Sequence, residues 1–191
     1  MHLIIYGPEG SGKGTQAKIL AEKFNLPVFT SGDLVRKAAE KDKSKLGDIC
    51  RRALKTGKYV PDGEIYKLWE DILKTKEAKK GFILDGFPRT VPQAEFLMKE
   101  IGKIGYSIDR VIYLNLNDEE AIKRLAIRAR RLFPGSNINH DAPERVKKRL
   151  RLYRKQEKSL LDFFRKKNIL SEIDANKPIV KVTDSIIKTI S

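Results

Sequence analysis

Short apolar runs alternate along the chain with longer segments whose apolar residues recur every three or four positions. Leu3–Tyr6, Val28–Phe29, Phe82–Leu84, Val111–Leu114 and the less regular Ile169–Ile173 read as strands. The first, third and fourth are continuous apolar runs, the pattern of strands covered on both faces. After the first run, Ala17, Leu20, Ala21 and Phe24 fall at helical spacing. Alternation of this kind predicts an α/β domain, a five-stranded parallel sheet wrapped by helices. Asp141, Pro143 and Glu144 read as a helix start, with Asp141 as N-cap, a first-turn proline and a first-turn acid. That helix is expected to bury Val146, Leu150, Tyr153, Leu160 and Phe164 along one side.

Two stretches interrupt the alternation. Residues 30–61 are helical in pattern but polar, and residues 131–142 (RLFPGSNINHDA) are loop-like. Excursions from a core are where mobile, functional elements concentrate. The chain is therefore read as one core over residues 1–191 with two insertions, a lobe at 30–61 and a short lid at 129–142.

Length and composition narrow the setting. At 191 residues with 40% apolar content, the chain suits one compact domain. Its lone cysteine, Cys50, can form no intrachain disulfide and reads as a small buried side chain in a reducing compartment. The N-terminal apolar run is too short for the core of a signal peptide, and no stretch is long enough to span a membrane, so the expectation is cytoplasmic. The net charge of +15 favours anionic partners. Residues 121–167 concentrate it, with sixteen Lys or Arg against four Asp or Glu. Five of these, Lys147, Lys148, Arg151, Arg154 and Lys155, are read as solvated. Trp69 and the scattered aromatics read as fillers rather than a base-stacking platform, so nucleic acid is not favoured as a partner.

Between the first strand and its helix stands GPEGSGKGT, residues 7–15. Glycines let backbone N–H groups converge on a concave nest, the following helix adds its positive end, and Lys13 can reach outer phosphates. Gly7, Gly12 and Lys13 match G-x-x-x-x-G-K, with Gly14 next and Thr15 one place later. Glu9 is the odd member, because a carboxylate facing phosphates would repel them. It is expected to point to solvent.

GPEGSGKGTQ resembles the phosphate loop of nucleoside monophosphate kinases, adenylate kinases most closely. TSGDLVR (residues 30–36) and TGKYVPD (56–62) resemble the entry and exit of that family's monophosphate lobe. GFILDGFPRTVPQAE (81–95) is similar to its most diagnostic segment, AIKRLAIRA (121–129) and ERVKKRLRLY (144–153) to the helices bracketing its lid, and DANKP (174–178) to its contact with the ATP base. The resemblance implies a P-loop fold, an AMP-binding lobe and a short lid. It implies ATP contacts at Gly10, Ser11, Gly12, Lys13, Gly14, Thr15, Arg124, Arg128 and Lys177. For AMP it implies Ser31, Arg36, Lys58, Tyr59, Val60, Gly86, Phe87, Pro88, Arg89, Gln93 and Arg149. Lys13, Arg89, Arg128 and Arg149 become the catalytic cations, and Asp85 a ligand of Mg²⁺ through water.

The implied reaction is ATP + AMP ⇌ 2 ADP by direct in-line transfer, in a monomer. Ser31 keeps a hydroxyl where pyrimidine kinases tend to carry alanine, and Gln93 can offer adenine both an acceptor and a donor. The alternatives are a kinase for UMP or CMP, or a nucleotide- or RNA-binding P-loop protein with little turnover. With no cysteine in the lid, the zinc-binding form of the lid is not expected. Short-lid relatives read arginine, any residue, then two aspartates; here the residues are Ile138, Asn139, His140 and Asp141. Arg130 or Arg131 is expected to supply the cation that Ile138 lacks.

Overall fold

The computed structural model describes residues 1–131 and 139–190. Along the chain run β1 (His2–Tyr6), α1 (Lys13–Phe24), β2 (Val28–Thr30), α2 (Ser31–Lys41), α3 (Lys45–Thr56), α4 (Asp62–Leu73) and α5 (Lys76–Lys80). They are followed by β3 (Phe82–Asp85), α6 (Val91–Ile104), β4 (Arg110–Asn115), α7 (Asp118–Arg128), α8 (Pro143–Lys166), β5 (Leu170–Asp174) and α9 (Ile179–Ile190). All five expected strands form, each within two residues of its expected ends. The polar stretch 30–61 becomes the helix pair α2 and α3 with a short exit.

The strands make one parallel sheet in the order β2-β3-β1-β4-β5. Because side chains alternate across a strand, the continuous apolar runs feed two cores. Ile4, Tyr6, Phe82, Leu84, Val111 and Tyr113 pack on one face with Trp69, Leu97 and Phe164. Leu3, Ile5, Ile83, Ile112 and Leu114 pack on the other with Leu20, Leu125, Leu150 and Ile186. Trp69 is fully buried and stacks on Phe87 with ring centroids 4.8 Å apart, as a filler should. Cys50 is a buried free thiol. His2 is stacked on Tyr106 and bonded to the Ala78 carbonyl, far from His140 in the fold.

The central strand β1 lies between β3 and β4; the chain runs from β1 outward to β2 on one side and from β3 back past β1 to β4 on the other, so connections reverse direction here. A crevice opens outside the carboxyl ends of the strands at such a point. The ends of β1, β2 and β3, with the residues after them, supply most of the residues expected at the site.

One helix starts differently from its sequence pattern. The N-cap of α8 is Ala142, with no side-chain cap, and Pro143 is the first helical residue. Asp141 turns its carboxylate away from this helix end, for reasons that belong to the site. The helix buries Val146, Leu150, Leu160 and Phe164 as expected, whereas Tyr153 is half-buried.

Candidate active site

The strand-to-helix turn after β1 has the backbone of an anion nest. Gly12 is the N-cap of α1 at φ 87°, a conformation that disfavours side chains, and a Cβ there would meet nothing within 4 Å. Gly10 also has φ 87°, and a Cβ on it would lie 2.9 Å from the Ala121 carbonyl oxygen. The first N–H groups of any α-helix lack an intrahelical acceptor, and Gly12 offers no side chain to cap them. They are left for a ligand. Lys13 Nζ donates to the carbonyls of Gly7 and Pro8, both at 2.8 Å, which folds the side chain back over the loop and leaves one ammonium proton uncommitted by these bonds. Burial lowers its pKa, opposed by the charges of Asp85 and Glu9.

Beside this loop, Asp85 closes β3. Its carboxylate makes no hydrogen bond or ion pair among the described residues, although it faces Lys13 closely enough to support that residue's charge. A carboxylate so placed fits an outer ligand to a hydrated divalent cation.

The chain after Asp85 and the start of α2 build the opposite wall. Ser31 is buried and donates to the Gly86 carbonyl at 2.9 Å. Arg89 Nε donates to the same carbonyl at 2.8 Å, and its guanidinium lies 4.2 Å from the ring centroid of Tyr59. Gln93 is held at both ends. Its Oε1 accepts from the Arg89 N–H at 2.8 Å, and its Nε2 donates to Asp62 at 2.7 Å. One amide proton and one lone pair remain for a base edge. Arg36 pairs with Asp33 at 2.6 Å, and Thr30 caps α2 through the Asp33 N–H.

The third wall comes from the end of α7 and the residues just before α8. Arg128, at the end of α7, grips Asp141 with Nε and Nη2 at 2.8 and 2.7 Å. Asp141 is buried and also accepts the Arg130 N–H at 2.9 Å. It serves as an acceptor for α7 and the chain after it, which is why it does not cap α8. Glu9 is the main correction to the sequence reading. It points inward, bound through both oxygens to Arg149 Nε and Nη2 at 2.8 and 2.7 Å. Arg149 completes its contacts by donating through Nη1 to the His140 carbonyl. Burial alone would raise the Glu9 carboxyl; the Arg149 hydrogen bonds and the charges of Arg149, Lys13 and His140 hold it below the usual carboxylate value. His140 lies 4.0 Å from Glu9, and burial, with the nearby Arg149 charge, pushes its pKa down to about 4. Ligating atoms of Glu9, His140 and Asp141 lie within 4.8 Å of one another. Arg149 and Arg128 already occupy the two carboxylates, which makes this an ion-pair cluster.

These walls enclose a cleft of about 1090 Å³. Small-molecule pockets typically run from roughly 300 to 1,000 Å³, so this one has room for more than one small ligand. Every site residue expected from the sequence lines it except Pro88. Arg124 lines it while paired to Glu120, and Lys177 lines it beside Asn176. Arg130 also lines the cleft. Burial and the Arg128 charge lower its pKa, and the charges of Glu9 and Arg36 reach it too. Arg131 is absent from the lining and pairs through its backbone with Asn139. Ile138 lies outside the described residues. Arg154, expected to be solvated, is half-buried and bonded to Asp118, Glu157 and the Leu116 carbonyl.

Sheet order, uncapped glycine loop and converging cations define a P-loop nucleotide-binding protein with a cleft roomy enough for more than one small ligand. Comparison with known proteins makes this specific. The family model for adenylate kinase matches residues 5–169. The chain is 40% identical to an adenylate kinase of Cyanothece sp., over 96% of this chain and 92% of that protein. It is 39% identical to one of Thermobifida fusca, covering 96% and 94%. With an adenylate kinase of Finegoldia magna it shares 34% identity, covering 98% and 97%. The chain belongs to the adenylate kinase family, and it is a nucleoside monophosphate kinase, a phosphotransferase.

Proposed function

We propose that the cleft transfers the terminal phosphoryl group of ATP directly to the phosphate of AMP, giving two ADP. The observation that carries this reading is the convergence in one cleft of the uncapped loop with Lys13, Arg89 and Arg36 on one wall, and Arg128 and Arg149 on the other. The nucleophile is a phosphate oxygen, already ionised at neutral pH, so the reaction needs no general base. Catalysis reduces to positioning and stabilising charge on the moving group. In this reading the first-turn N–H groups and Lys13 hold the donor's outer phosphates. Arg36 and Arg89 hold the acceptor phosphate, Arg128 completes the donor set, and Arg149, implied by the resemblance as an AMP contact and a catalytic cation, reaches the terminal phosphoryl group that moves between them. The adenine of ATP lies against Arg124 and Lys177, and the acceptor base against Ser31, Lys58, Tyr59, Val60 and Gln93. Asp85 would hold Mg²⁺ through water, and the ion would neutralise phosphate charge when bound. Closure of the residue 30–61 lobe and the lid excludes water, whose attack would waste ATP.

A free buried Cys50 fits a reducing cytoplasm, and no described helix is long and apolar enough to cross a membrane. We read the protein as a cytoplasmic monomer. The test is ADP release measured with AMP, UMP, CMP and GMP as acceptors. AMP is expected to be used best, and equal use of UMP or CMP would overturn the assignment of Ser31 and Gln93.

A further inference from the structure

Glu9 is a carboxylate inside a site built for phosphate, and the way it is held says what it does there. Its two oxygens take the Nε and Nη2 edge of Arg149, the fork with which a guanidinium binds phosphate bidentately. The charges of Lys13, Arg128 and Arg130 are all close enough for Glu9 to influence their ionisation. The carboxylate therefore stands amid the cations that the proposed function gives to the donor's phosphates. The neighbouring pair, Arg128 with Asp141, has the same fork geometry in a different setting. The Asp141 side chain is fully buried and receives a backbone N–H as well, so displacing it would strand a polar group. Glu9 has a side chain 32% exposed, on a loop beside Gly10, and among the described residues it accepts side-chain hydrogen bonds from Arg149 alone, with His140 4.0 Å away. Its own charge can swing into water, and the buried Arg149 guanidinium it leaves without a counter-ion is then open to an incoming phosphate. Arg149 keeps its His140 carbonyl contact when it does.

We propose that Glu9 is a built-in competitor for the donor's polyphosphate, occupying the Arg149 fork until a terminal phosphate displaces it and so setting the affinity and anion selectivity of the donor site. A polyphosphate that also engages the loop N–H groups and Lys13 has enough contacts to displace the carboxylate. Inorganic phosphate, with a single group to offer, is held off. The site thus admits the triphosphate donor while resisting small anions that its many cations would otherwise collect. This rests on the reading that the donor's phosphates lie in the Gly7–Thr15 loop.

The test is equilibrium binding of tripolyphosphate, inorganic phosphate and AMP to the parent and to Glu9→Gln, Glu9→Ala and Lys13→Ala. Both Glu9 variants should bind tripolyphosphate about 10-fold tighter or more, gain measurable affinity for inorganic phosphate, and keep AMP affinity within about twofold. In steady-state assays Glu9→Gln should lower the KM for ATP and leave that for AMP in place, a split that a bracing role would not produce. Tripolyphosphate affinity unchanged or weaker in both Glu9 variants overturns the proposal. Lys13→Ala separates the two readings. If it binds tripolyphosphate as the parent does, the phosphates are not in the loop and the assignment of the donor site fails. If it loses binding while the Glu9 variants are unchanged, only the competitor role fails. A measurement on the parent alone needs no variant to fold: saturating tripolyphosphate should move the Glu9 side-chain carboxyl carbon resonance toward that of a solvent-exposed glutamate. A resonance that stays in place overturns the displacement.

Discussion

The sides of the cleft proposed above for donor and acceptor hold their cations by different means. On the donor side, Arg128 and Arg149 are each clasped by a carboxylate fork, Asp141 and Glu9, with Lys13 and Arg130 close by. On the acceptor side, Arg89 is held by a backbone carbonyl and the face of Tyr59, and Ser31 shares that carbonyl. Among the described residues there, Arg36 has a carboxylate partner, Asp33, in an exposed pair one helical turn away. The difference follows from charge density. Several cations packed at one point repel one another, and leaving them half-buried without counter-ions costs several kcal/mol, on the order seen when buried pairs are broken. Interleaved carboxylates offset that repulsion until phosphates replace it. With fewer cations to hold, the acceptor wall can use neutral contacts, whose directions fix a base and a phosphate in place. Effects of charge and pH should therefore fall on the donor wall, and effects of shape and hydrogen bonding on the acceptor wall.

The sharpest way to break this contrast is to remove the donor wall's central charge. Lys13→Ala should lower turnover by at least ~10²-fold, the scale of losing one positioned electrostatic donor. Single-turnover kinetics within a few-fold of the parent would mean that the loop is not the phosphate site. Next in size is an acceptor-wall change that alters no charge. Gln93→Ala should weaken AMP by about 1–3 kcal/mol while ATP affinity barely moves, since a buried base edge loses its partner. It also strips the Arg89 N–H and Asp62 of their shared amide, so some loss of thermal stability should accompany it. Calorimetric titrations that show AMP and ATP weakened equally would place Gln93 at the wrong wall.

Much of this arrangement was legible in the sequence, and the misses share a cause. The strands were visible because a parallel strand buried on both faces leaves an uninterrupted apolar run, as in Leu3–Tyr6 and Val111–Leu114. The loop and the expected wall residues were visible because motif order fixes which segments reach the sheet's carboxyl edge. What failed was the partner of each charged side chain. Glu9 was expected outside because a carboxylate facing phosphates would repel them, yet it points inward to a partner, Arg149, that lies 140 residues away. Asp141 looked like a helix cap from its position before Pro143, until Arg128 on another helix proved the stronger claimant. Arg154 looked solvated in a basic run, although Asp118 and Glu157 engage it. Patterns along a chain carry burial and local turns; they do not carry which charge on one element meets which on another. A purely local signal was available only for Glu157, three residues from Arg154 on the same helix.

Arg130 sharpens the comparison from the lid. Its side chain lines the cleft, within electrostatic reach of Arg128 and Glu9 on one side and Arg36 on the other. Arg131 does not line the cleft. Of the two arginines expected to make up for Ile138, Arg130 is the better placed. Arg130→Ala should cut turnover by ~10-fold with AMP affinity nearly unchanged, as loss of a contact made in the transition state does. Arg131→Ala should have little effect on kcat. Full turnover in both single variants and in the double variant would leave Lys13, Arg89, Arg128 and Arg149 sufficient by themselves.

The smallest expected effect is one of pH, and it too falls on the donor wall. His140 is packed against Glu9 and Asp141 with Arg149 and Arg130 nearby, and its pKa is pushed down to about 4 by burial and then by the Arg149 charge. In the unfolded chain a histidine titrates near 6.5. Between those values the unfolded chain takes up a proton that the folded protein refuses, so stability falls as pH drops from about 6.5 towards 4 and this contribution levels off below. The carboxylates run later. Glu9 and Asp141 are held below their ordinary values despite burial, Glu9 by Arg149 and Asp141 by Arg128, so the stability they contribute is lost only at more acid pH. His2, lowered by burial and then by the N-terminal charge, has the same sign as His140 but stands at the far end of the sheet, beside Asp109 and stacked on Tyr106. The measurement is therefore a difference. Melting temperatures of the parent and of His140→Gln, taken from pH 7.5 to 4.5, should diverge below pH 6.5, with the parent falling more steeply. For a chain of this size the gap is about 2–4 °C per kcal/mol. His2→Gln would flatten the curve as well, but tripolyphosphate should change only the His140 contribution, because only His140 shares its surroundings with Glu9 and Arg149. Parallel melting curves for parent and His140→Gln would mean that His140 titrates as it does in the unfolded chain, and that the donor wall is less tightly packed around its charges than the Glu9–Arg149 pair implies.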